Sequence, residues 1–345
     1  MKLSVYVPPR PTQSQLRFVA QLGVRYVYTW LGNDQLDAES IRALERTLEP
    51  HGLTLYNAGC VRLGKSPAIH LGLEGRDRDI REFQAFIRAL AACGIRVTTF
   101  TWEPDQVWST GREATRGGAL ARAVDASLLA DRPFTHGRRY TEAELWDNFA
   151  FFMERIIPVA EAEGVRLALH PNDPPLAEIA GIPCLIRSAE SYRTAFRVAG
   201  SPALGMELCA GCWLEGGVGF GDLVSGIREF GREDRILIVH FRNVSSALPR
   251  FVETFVDDGI MDMAGVIDAL AEVGYDGTVI LDHSPDLVGS EEPAEGGYPY
   301  TATAYAIGYL KALVACSATA AGSARAGRRS PPPGAARSRQ RRRAR

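Results

Sequence analysis

The stretch RLALHPNDPP (166–175) begins as an apolar run and ends in a histidine, an amide, a carboxylate and two prolines. A short apolar run bounded by prolines is typical of a buried β-strand. Folding alone does not require a histidine, an amide and a carboxylate directly after such a strand. The stretch therefore predicts a buried strand whose carboxyl end carries functional side chains.

Seven other segments have the same strand-like character. Each is a run of β-branched and apolar residues bounded by Gly, Pro or Asp. The segments are LSVYV (3–7), VRYVYTW (24–30), LTLYNAG (53–59), RVTTFTW (96–102), ALGMELC (203–209), ILIVHFR (236–242) and TVILDH (278–283).

Helical periodicity follows each predicted strand, and two helices have clear start signals. Asp37 precedes AESIRALERTL, and Thr141 with Glu144 has the spacing of a capping box. Parallel strands need crossover helices, so eight strands alternating with eight helices predict an α/β protein with a (β/α)8 barrel, or TIM barrel. The predicted helices are 12–22, 38–50, 77–93, 142–164, 187–199, 219–230, 262–273 and 301–315.

Two segments depart from this alternation. Residues 103–141, after the fourth predicted strand, are too many for an ordinary loop and predict an inserted cap that acts as a lid over the barrel mouth. Residues 317–345 contain nine arginines, no acid and a triple proline, a composition that predicts disorder. The expected organisation is a catalytic barrel over 1–316 and a disordered tail over 317–345.

Composition limits the classes of function. The formal net charge of the 345 residues is −2, so removing the nine tail arginines leaves −11 on residues 1–316. That charge argues against nucleic-acid binding by the folded domain, and we expect the tail to be a solvated extension, with RNA, DNA or acidic surfaces as alternative partners. No apolar run approaches the roughly 18 to 20 residues of a membrane span, and the N-terminus lacks a signal-peptide pattern. Six cysteines dispersed through apolar segments predict reduced thiols and a cytoplasmic protein.

The active site of a TIM barrel lies where the strands end. Four consecutive predicted strands end in potential metal ligands, and the last of these is followed by His283. Two imidazoles, a thiolate and a carboxylate suit Zn²⁺, Fe²⁺ or Mn²⁺, and the carboxylate favours a catalytic over a closed structural site. The four residues are His170, Cys209, His240 and Asp282.

Strand alternation supports this placement. In ILIVHFR (236–242), His240 and Arg242 share a face with the two isoleucines, and in GMELC (205–209), Glu207 shares a face with Cys209. Cys209 and Cys212 form a CxxC, but a single CxxC after a late strand is a weak redox or zinc signal, and packing is the expected role of Cys212.

An ordered series of motifs in this chain resembles the mannonate dehydratase family, whose barrel is xylose-isomerase-like. The resemblance covers most of residues 1–315. The motifs are HLGLEGRDRDIREF (70–83), LWDNFAFFMERIIPVAEAEGVRLALHPNDPP (145–175), LCAG (208–211), HFRNV (240–244), FVETFVDDGIMDM (251–263), LDH (281–283) and GGYPYTATAYAIGYLKAL (296–313).

The resemblance implies a reaction and a set of roles. The family removes water from D-mannonate to give 2-dehydro-3-deoxy-D-gluconate in hexuronate catabolism, using Mn²⁺ or Fe²⁺ held by the four predicted ligands. His283 and Tyr298 would perform the acid and base steps. The resemblance does not assign which of the two is the acid and which is the base. Arg242 is expected to hold the substrate carboxylate as a bidentate fork, and Asn172 and Asp173 to contact hydroxyls or orient His170.

The chain also departs from the family pattern. The family usually has HPDDPP, with an aspartate where this chain has Asn172. It usually also has Arg-Pro before the Asp-His pair and Gly after that pair. Glu207 stands where the family usually has a small or hydroxylic residue. The departures leave the expected metal ligands intact and alter the surroundings of the substrate. The remaining departures are Val256, where the family usually has histidine, Ile280 and Leu281, where it has Arg-Pro, and Ser284, where it has Gly.

Two other functions fit parts of the pattern. A metal-dependent sugar isomerase or epimerase of the xylose-isomerase type also binds divalent metals at strand ends, and Glu207 favours it because such sites are rich in carboxylates. A non-catalytic binding protein is disfavoured by the presence of both His283 and Tyr298. The expected partner is a small sugar acid, with no membrane, and a homo-oligomer is compatible with the sequence.

Overall fold

A closed barrel of eight parallel strands forms the centre of the molecule in the computed structural model, which describes residues 1–288 and 300–327. All eight strands and all eight helices predicted from the sequence are present, with ends shifted by a few residues except for the last helix, which continues to Gly327. The fold is therefore the predicted TIM barrel. Around the barrel the strand order is β1-β14-β11-β10-β7-β4-β3-β2.

Fourteen strands occur in the described residues, eight in the barrel and six in smaller sheets. They are β1 (Lys2–Tyr6), β2 (Tyr26–Trp30), β3 (Thr54–Gly59), β4 (Val97–Thr101), β5 (Gly111–Ala114), β6 (Leu120–Asp125), β7 (Arg166–His170), β8 (Glu178–Ile179), β9 (Ile182–Pro183), β10 (Leu204–Cys209), β11 (Ile236–Phe241), β12 (Asn243–Val244), β13 (Arg250–Thr254) and β14 (Thr278–Leu281).

Eleven α-helices occur in the described residues. Three of them, α3, α4 and α8, are short helices after barrel strands that the periodicity did not predict. The helices are α1 (Gln13–Gln21), α2 (Ala38–Leu48), α3 (Val61–Gly64), α4 (Pro67–Leu71), α5 (Arg76–Ala92), α6 (Glu142–Glu163), α7 (Ala189–Ala199), α8 (Ala210–Gly216), α9 (Leu223–Arg232), α10 (Met263–Glu272) and α11 (Tyr300–Gly327).

The helix starts follow from local chemistry. Asp37 accepts hydrogen bonds from the first free backbone N–H groups of α2. Thr141 and Glu144 form a reciprocal capping box at the start of α6. Both start signals seen in the sequence are confirmed, because each supplies an acceptor to amides that lack a partner in the first turn.

The segment after β4 contains the hairpin β5–β6, which joins a four-stranded antiparallel sheet ordered β12-β13-β6-β5. We call this the cap sheet. Its other two strands follow β11, a contribution that the sequence did not predict. Arg250 pairs with Asp125 and Phe251 with Val124, so two segments far apart in the chain are fixed to each other.

Two apolar layers lie on the two sides of the barrel wall. The larger one packs strands against helices and includes Phe83, Phe100 and Phe152. The smaller one fills the barrel interior, because its members come from barrel strands only. They are Tyr6, Tyr28, Tyr56, Val97, Ala168, Leu237, Ile238 and Ile280. Strand β10 contributes none of them.

A register shift between β10 and β11 modifies the predicted alternation. Met206 pairs with Ile236 and Glu207 pairs with Ile238, so Leu237 is the extra residue. Ile236 consequently packs in the outer layer, and Ile238 lies in the interior. The prediction that both isoleucines share the face of His240 is therefore wrong for Ile236, because a bulge interrupts the period of two.

The last helix continues past the predicted start of the tail. Its backbone is helical to Gly327, within the segment that the composition predicts to be disordered from Ser317. The alanine-rich sequence of 318–326 accounts for the helix, since alanine has the highest helix propensity. Residues 328–345 lie outside the described residues. Within 1–288 and 300–327, none of the helices is both long and apolar enough to cross a membrane.

Candidate active site

Four potential metal ligands meet at the carboxyl ends of four adjacent barrel strands. His170 ends β7, Cys209 ends β10, His240 is the next-to-last residue of β11, and Asp282 follows β14. One ligand atom from each of the four lies within 4.8 Å of the others. The strands place the donors together because parallel strands all end on the same face of a barrel.

Two of these side chains are prepared for ligation by their own backbone. His170 Nδ1 lies 2.7 Å from the carbonyl oxygen of Pro171, which leaves Nε2 as the free nitrogen. Cys209 caps the N-terminus of α8 and accepts a hydrogen bond from the Cys212 amide. Burial opposes ionisation of Cys209, but hydrogen bonding from Cys212 and the charge of Arg242 hold its pKa well below the ordinary value. Cys209 therefore favours the thiolate, which is the form that binds metals.

His240 lies between two carboxylates. Its Nε2 lies 2.6 Å from Glu207 Oε1, and its Nδ1 lies 3.4 Å from Asp282 Oδ2. Nδ1 is buried and has no hydrogen-bond partner among the described residues. A buried polar atom without a partner is costly. The ring is therefore oriented with an unsatisfied nitrogen in the middle of the cluster.

The donor set fits a divalent transition metal. An unsatisfied imidazole nitrogen, a stabilised thiolate and a buried carboxylate converge on one point, with a second imidazole beside them. Nitrogen and sulfur donors suit Zn²⁺, Fe²⁺ and Mn²⁺ better than Ca²⁺ or Mg²⁺. The structure thus contains a possible metal site with the composition that the sequence predicted.

His283 lies beside this cluster with a defined orientation. Its Nδ1 is 2.9 Å from Glu253 Oε1 of β13, and its side chain remains 32% exposed. Burial opposes protonation of His283, but the carboxylates of Asp282 and Glu253 outweigh it and raise the pKa of His283 to about 9. Tyr298, the other predicted acid or base, lies outside the described residues.

Arg242 does not occupy the position expected of a substrate ligand. Its side chain is fully buried. All three guanidinium nitrogens donate to internal acceptors, so no N–H is left for a substrate carboxylate. The prediction that Arg242 grips the substrate is therefore corrected, because the guanidinium compensates buried charge instead. Its acceptors are Asp173, Glu215, Glu253 and Asp282, with the sulfurs of Cys209 and Cys212.

Asn172 and Asp173 are likewise committed to the protein. Asn172 donates to the Trp102 carbonyl and accepts from the Ile186 amide, and its side chain is buried away from the cavity. Asp173 lines the cavity, but one oxygen pairs with Arg122 at 2.6 Å and the other with Arg242 at 2.9 Å. The predicted contacts of these residues with substrate hydroxyls do not fit this geometry. Their observed role is to fix the loop after β7.

Asp173, Cys212 and Glu215 form a second group whose ligand atoms lie within 4.8 Å of one another. Arg242 donates to all three. A guanidinium therefore already supplies the positive charge that a cation would bring. This geometry favours a closed charge network for Cys212 and its neighbours.

A cavity lined by three of the four proposed metal ligands, His170, His240 and Asp282, opens at this end of the barrel. One wall is aromatic and apolar, formed by Tyr28, Trp30 and Val61. Lys65 also lines the cavity, and its Nζ lies 2.8 Å from Glu103 Oε2. Burial raises the pKa of Glu103 to about 6, against the opposing effect of Lys65.

Three residues that shape the site were not assigned from the sequence. Glu253 of the cap sheet and Glu215 of α8 are buried, and Arg122 of the cap sheet is 12% exposed and pairs with both. In β13, Glu253 is on the same face as the apolar Phe251. A charged residue on the apolar face of a strand-like run was the signal in the sequence that could have identified Glu253. Arg122 gave no comparable signal, because its strand was not predicted.

The chain is similar to known proteins over most of its length. The family described as D-mannonate dehydratase (UxuA) matches residues 125–323. The mannonate dehydratase of Bacillus subtilis (strain 168) is 31% identical over 321 residues, which cover 81% of this chain and 85% of the relative. The mannonate dehydratase of Enterococcus faecalis is 29% identical over 319 residues, covering 82% and 87%.

Solved structures share the fold. The mannonate dehydratase from Streptococcus suis serotype 2 superimposes with a TM-score of 0.84 at 24% identity, covering 93% of this chain and 95% of that chain. An L-ribulose 3-epimerase superimposes with a TM-score of 0.61 at 15% identity, covering 96% and 100%. At these identities both likenesses concern the fold alone, and the xylose-isomerase-like barrel is confirmed.

Proposed function

The chain belongs to the D-mannonate dehydratase family, and from this premise we propose that it is a metal-dependent hydro-lyase that converts D-mannonate into 2-dehydro-3-deoxy-D-gluconate and water. The observation that carries the proposal is the convergence of two imidazoles, a thiolate and a carboxylate beside His283 at the floor of the cavity. The reaction would serve hexuronate catabolism.

We propose that His170, Cys209, His240 and Asp282 hold Mn²⁺ or Fe²⁺. The bound cation would supply an electrophile that lowers the energy of the negative charge formed when a weakly acidic carbon loses its proton. The rest of the reaction depends on side chains of the chain itself.

The atoms of the reaction balance with one base and one acid. The base takes the C2 proton, the electron pair of the C2–H bond forms the C2=C3 double bond, and the C3–O bond breaks. The acid protonates the departing 3-hydroxyl, which leaves as water, and the resulting enol becomes the 2-keto acid. His283 and Tyr298 divide these transfers in the proposal. Glu253 holds His283 Nδ1, which leaves Nε2 for proton transfer.

A sugar acid needs a positive group for its carboxylate, and Lys65 is placed to supply it. Lys65 lines the cavity, and its ammonium group donates to Glu103 and to the carbonyl of Asp105. An ammonium group has three donors, so one remains for a ligand. Lys65 replaces Arg242 as the proposed partner of the substrate carboxylate.

The isomerase or epimerase alternative rests on fold and on Glu207. The likeness to an epimerase concerns the fold alone, and Glu207 contacts Thr99 and His240. The family match therefore favours the dehydratase.

The test is a substrate panel with the metal-reconstituted protein. D-mannonate and related aldonic acids are assayed for a 2-keto-3-deoxy acid, and ketoses are assayed for an aldose or epimer. We expect keto-deoxy acid from D-mannonate, lost in His283→Ala and Tyr298→Phe while bound metal persists. Turnover of ketoses alone would replace the dehydratase with the isomerase.

A further inference from the structure

We infer that Glu207 is a positioning residue that fixes the imidazole of His240 with Nδ1 in the metal cluster, an inference that rests on the metal site of the proposed function. The carboxylate occupies the place in the barrel interior where the other seven strands contribute apolar side chains. Glu207 is also the residue at which this chain departs from the expected small or hydroxylic side chain.

The geometry defines which atom of His240 does what. Glu207 Oε1 is 2.6 Å from His240 Nε2, a short contact between a carboxylate and a ring N–H. A neutral imidazole carries one proton, so a proton held at Nε2 leaves the lone pair on Nδ1. Nδ1 is the buried atom that has no hydrogen-bond partner among the described residues. Glu207 therefore selects the tautomer that the cluster needs.

Glu207 is itself held by a contact that crosses the barrel. Its other oxygen accepts a hydrogen bond from the Thr99 hydroxyl on β4. Strands β4 and β10 are separated by β7 in the sheet, so this contact passes through the interior. Both carboxylate oxygens are thus occupied, and the side chain is only 3% exposed.

The charge of Glu207 adds to the orientation. A carboxylate that accepts the distal N–H of a ligand histidine increases the basicity of the ligating nitrogen, and loss of such a partner typically weakens metal affinity about 10- to 100-fold.

The test is metal binding by the full chain stripped of metal. Mn²⁺ titration by calorimetry is compared for wild type, Glu207→Gln and Thr99→Val, with Asp79→Asn as the control for removing a buried carboxylate outside the cavity, one that accepts a hydrogen bond from Ser66. We expect about 10- to 100-fold weaker Mn²⁺ binding in Glu207→Gln. A smaller loss is expected in Thr99→Val and wild-type affinity in Asp79→Asn. Unchanged affinity in Glu207→Gln overturns the inference.

A spectroscopic readout separates positioning from general destabilisation. Nitrogen-15 NMR of the imidazoles in the metal-free protein should show His240 protonated at Nε2 in wild type and a mixture of tautomers in Glu207→Gln. The same single tautomer in both proteins overturns the inference. Should Glu207→Gln not fold, Thr99→Val carries the test, since it removes one hydrogen bond and keeps the charge; wild-type affinity and an unchanged His240 spectrum in it then overturn the inference.

Two outcomes distinguish this inference from the proposed function. Complete loss of Mn²⁺ binding in a folded Glu207→Gln protein would make Glu207 a ligand and overturn its role as a positioning residue. Weakened Mn²⁺ binding in Glu207→Gln, with no turnover of D-mannonate by the wild-type protein, would leave the inference standing and remove the proposed function.

Discussion

Glu253, on a strand of the cap sheet, accepts a hydrogen bond of 2.9 Å from Nδ1 of His283, which follows the proposed metal ligand Asp282. The same oxygen of Glu253 also accepts from Arg122 and Arg242. The cap sheet therefore fixes the orientation of a proposed catalytic side chain of the barrel.

Replacing Glu253 with Gln should lower kcat by about 10- to 100-fold, because the imidazole loses the anion that orients it. Bound metal should remain, since Glu253 is not a ligand. The measurement is steady-state kinetics on D-mannonate together with elemental analysis. Glu113→Gln is the control, because Glu113 is an exposed carboxylate on the same sheet, paired with Arg250. Wild-type kcat in Glu253→Gln would show that His283 needs no such support.

Replacing Cys209 with Ala should abolish tight metal binding, because the thiolate is one of only four proposed ligands. Elemental analysis after gel filtration measures this directly. Cys184→Ala is a matched control. Cys184 is also buried, but it packs with Ile179 and Val244 in a separate apolar cluster. Full metal occupancy in Cys209→Ala would mean that the ligand set is wrong.

Replacing Arg242 with Met should destabilise the folded chain by about 3 to 5 kcal/mol, because it leaves several buried carboxylates without a counter-charge. Urea unfolding measures the change. Arg250→Met, which removes an exposed arginine of β13, should be close to wild type in the same measurement. If Arg242→Met keeps wild-type stability and only raises KM, the guanidinium binds substrate after all.

Replacing Lys65 with Met should raise KM for D-mannonate by at least about tenfold, the effect of losing one charge-assisted hydrogen bond of about 1.5 kcal/mol or more. Lys65→Arg should recover part of the loss, since it keeps the charge. Lys311→Met is the control, because Lys311 donates to the Leu22 carbonyl on the outside of the barrel. A KM that is identical in wild type and Lys65→Met would remove Lys65 from the proposed site.

His70 predicts a pH dependence of stability. Its ring is buried against Trp102, and burial, with a smaller effect from Lys65, lowers its pKa to about 3. Between pH 3 and the unfolded pKa of about 6.5, the unfolded chain binds the extra proton, so the free energy of unfolding decreases as pH falls.

From pH 7.5 to pH 5.5 the contribution of His70 should be a loss of about 1.4 kcal/mol. Urea unfolding of His70→Phe, which keeps an aromatic ring, should lose stability less steeply over this range. His51→Asn serves as the control for removing a histidine that bonds to Gln13 on the surface. Parallel pH curves for wild type and His70→Phe would contradict the expectation.

The barrel could be predicted because its strand–helix unit repeats along the sequence. Eight apolar runs alternating with eight amphipathic helices leave few other architectures, because each parallel strand must return through a crossover. The cap sheet was missed for the opposite reason. Strands β6 and β13 are short and mixed in polarity, and each is stabilised by pairing with a segment more than one hundred residues away. Local periodicity contains no information on such a pairing.

The sequence by itself determined the candidate ligand set, because a strand that ends in a polar side chain must present it at the barrel mouth, and four such strands are consecutive. Only the tertiary structure decided the partners of each charge. The local sequence predicts that Arg242 binds the substrate carboxylate. In the structure its guanidinium donates instead to the carboxylates of residues 173, 215, 253 and 282. A buried charge is satisfied by whatever the folded chain brings within hydrogen-bond distance, and that depends on contacts between segments rather than on local pattern.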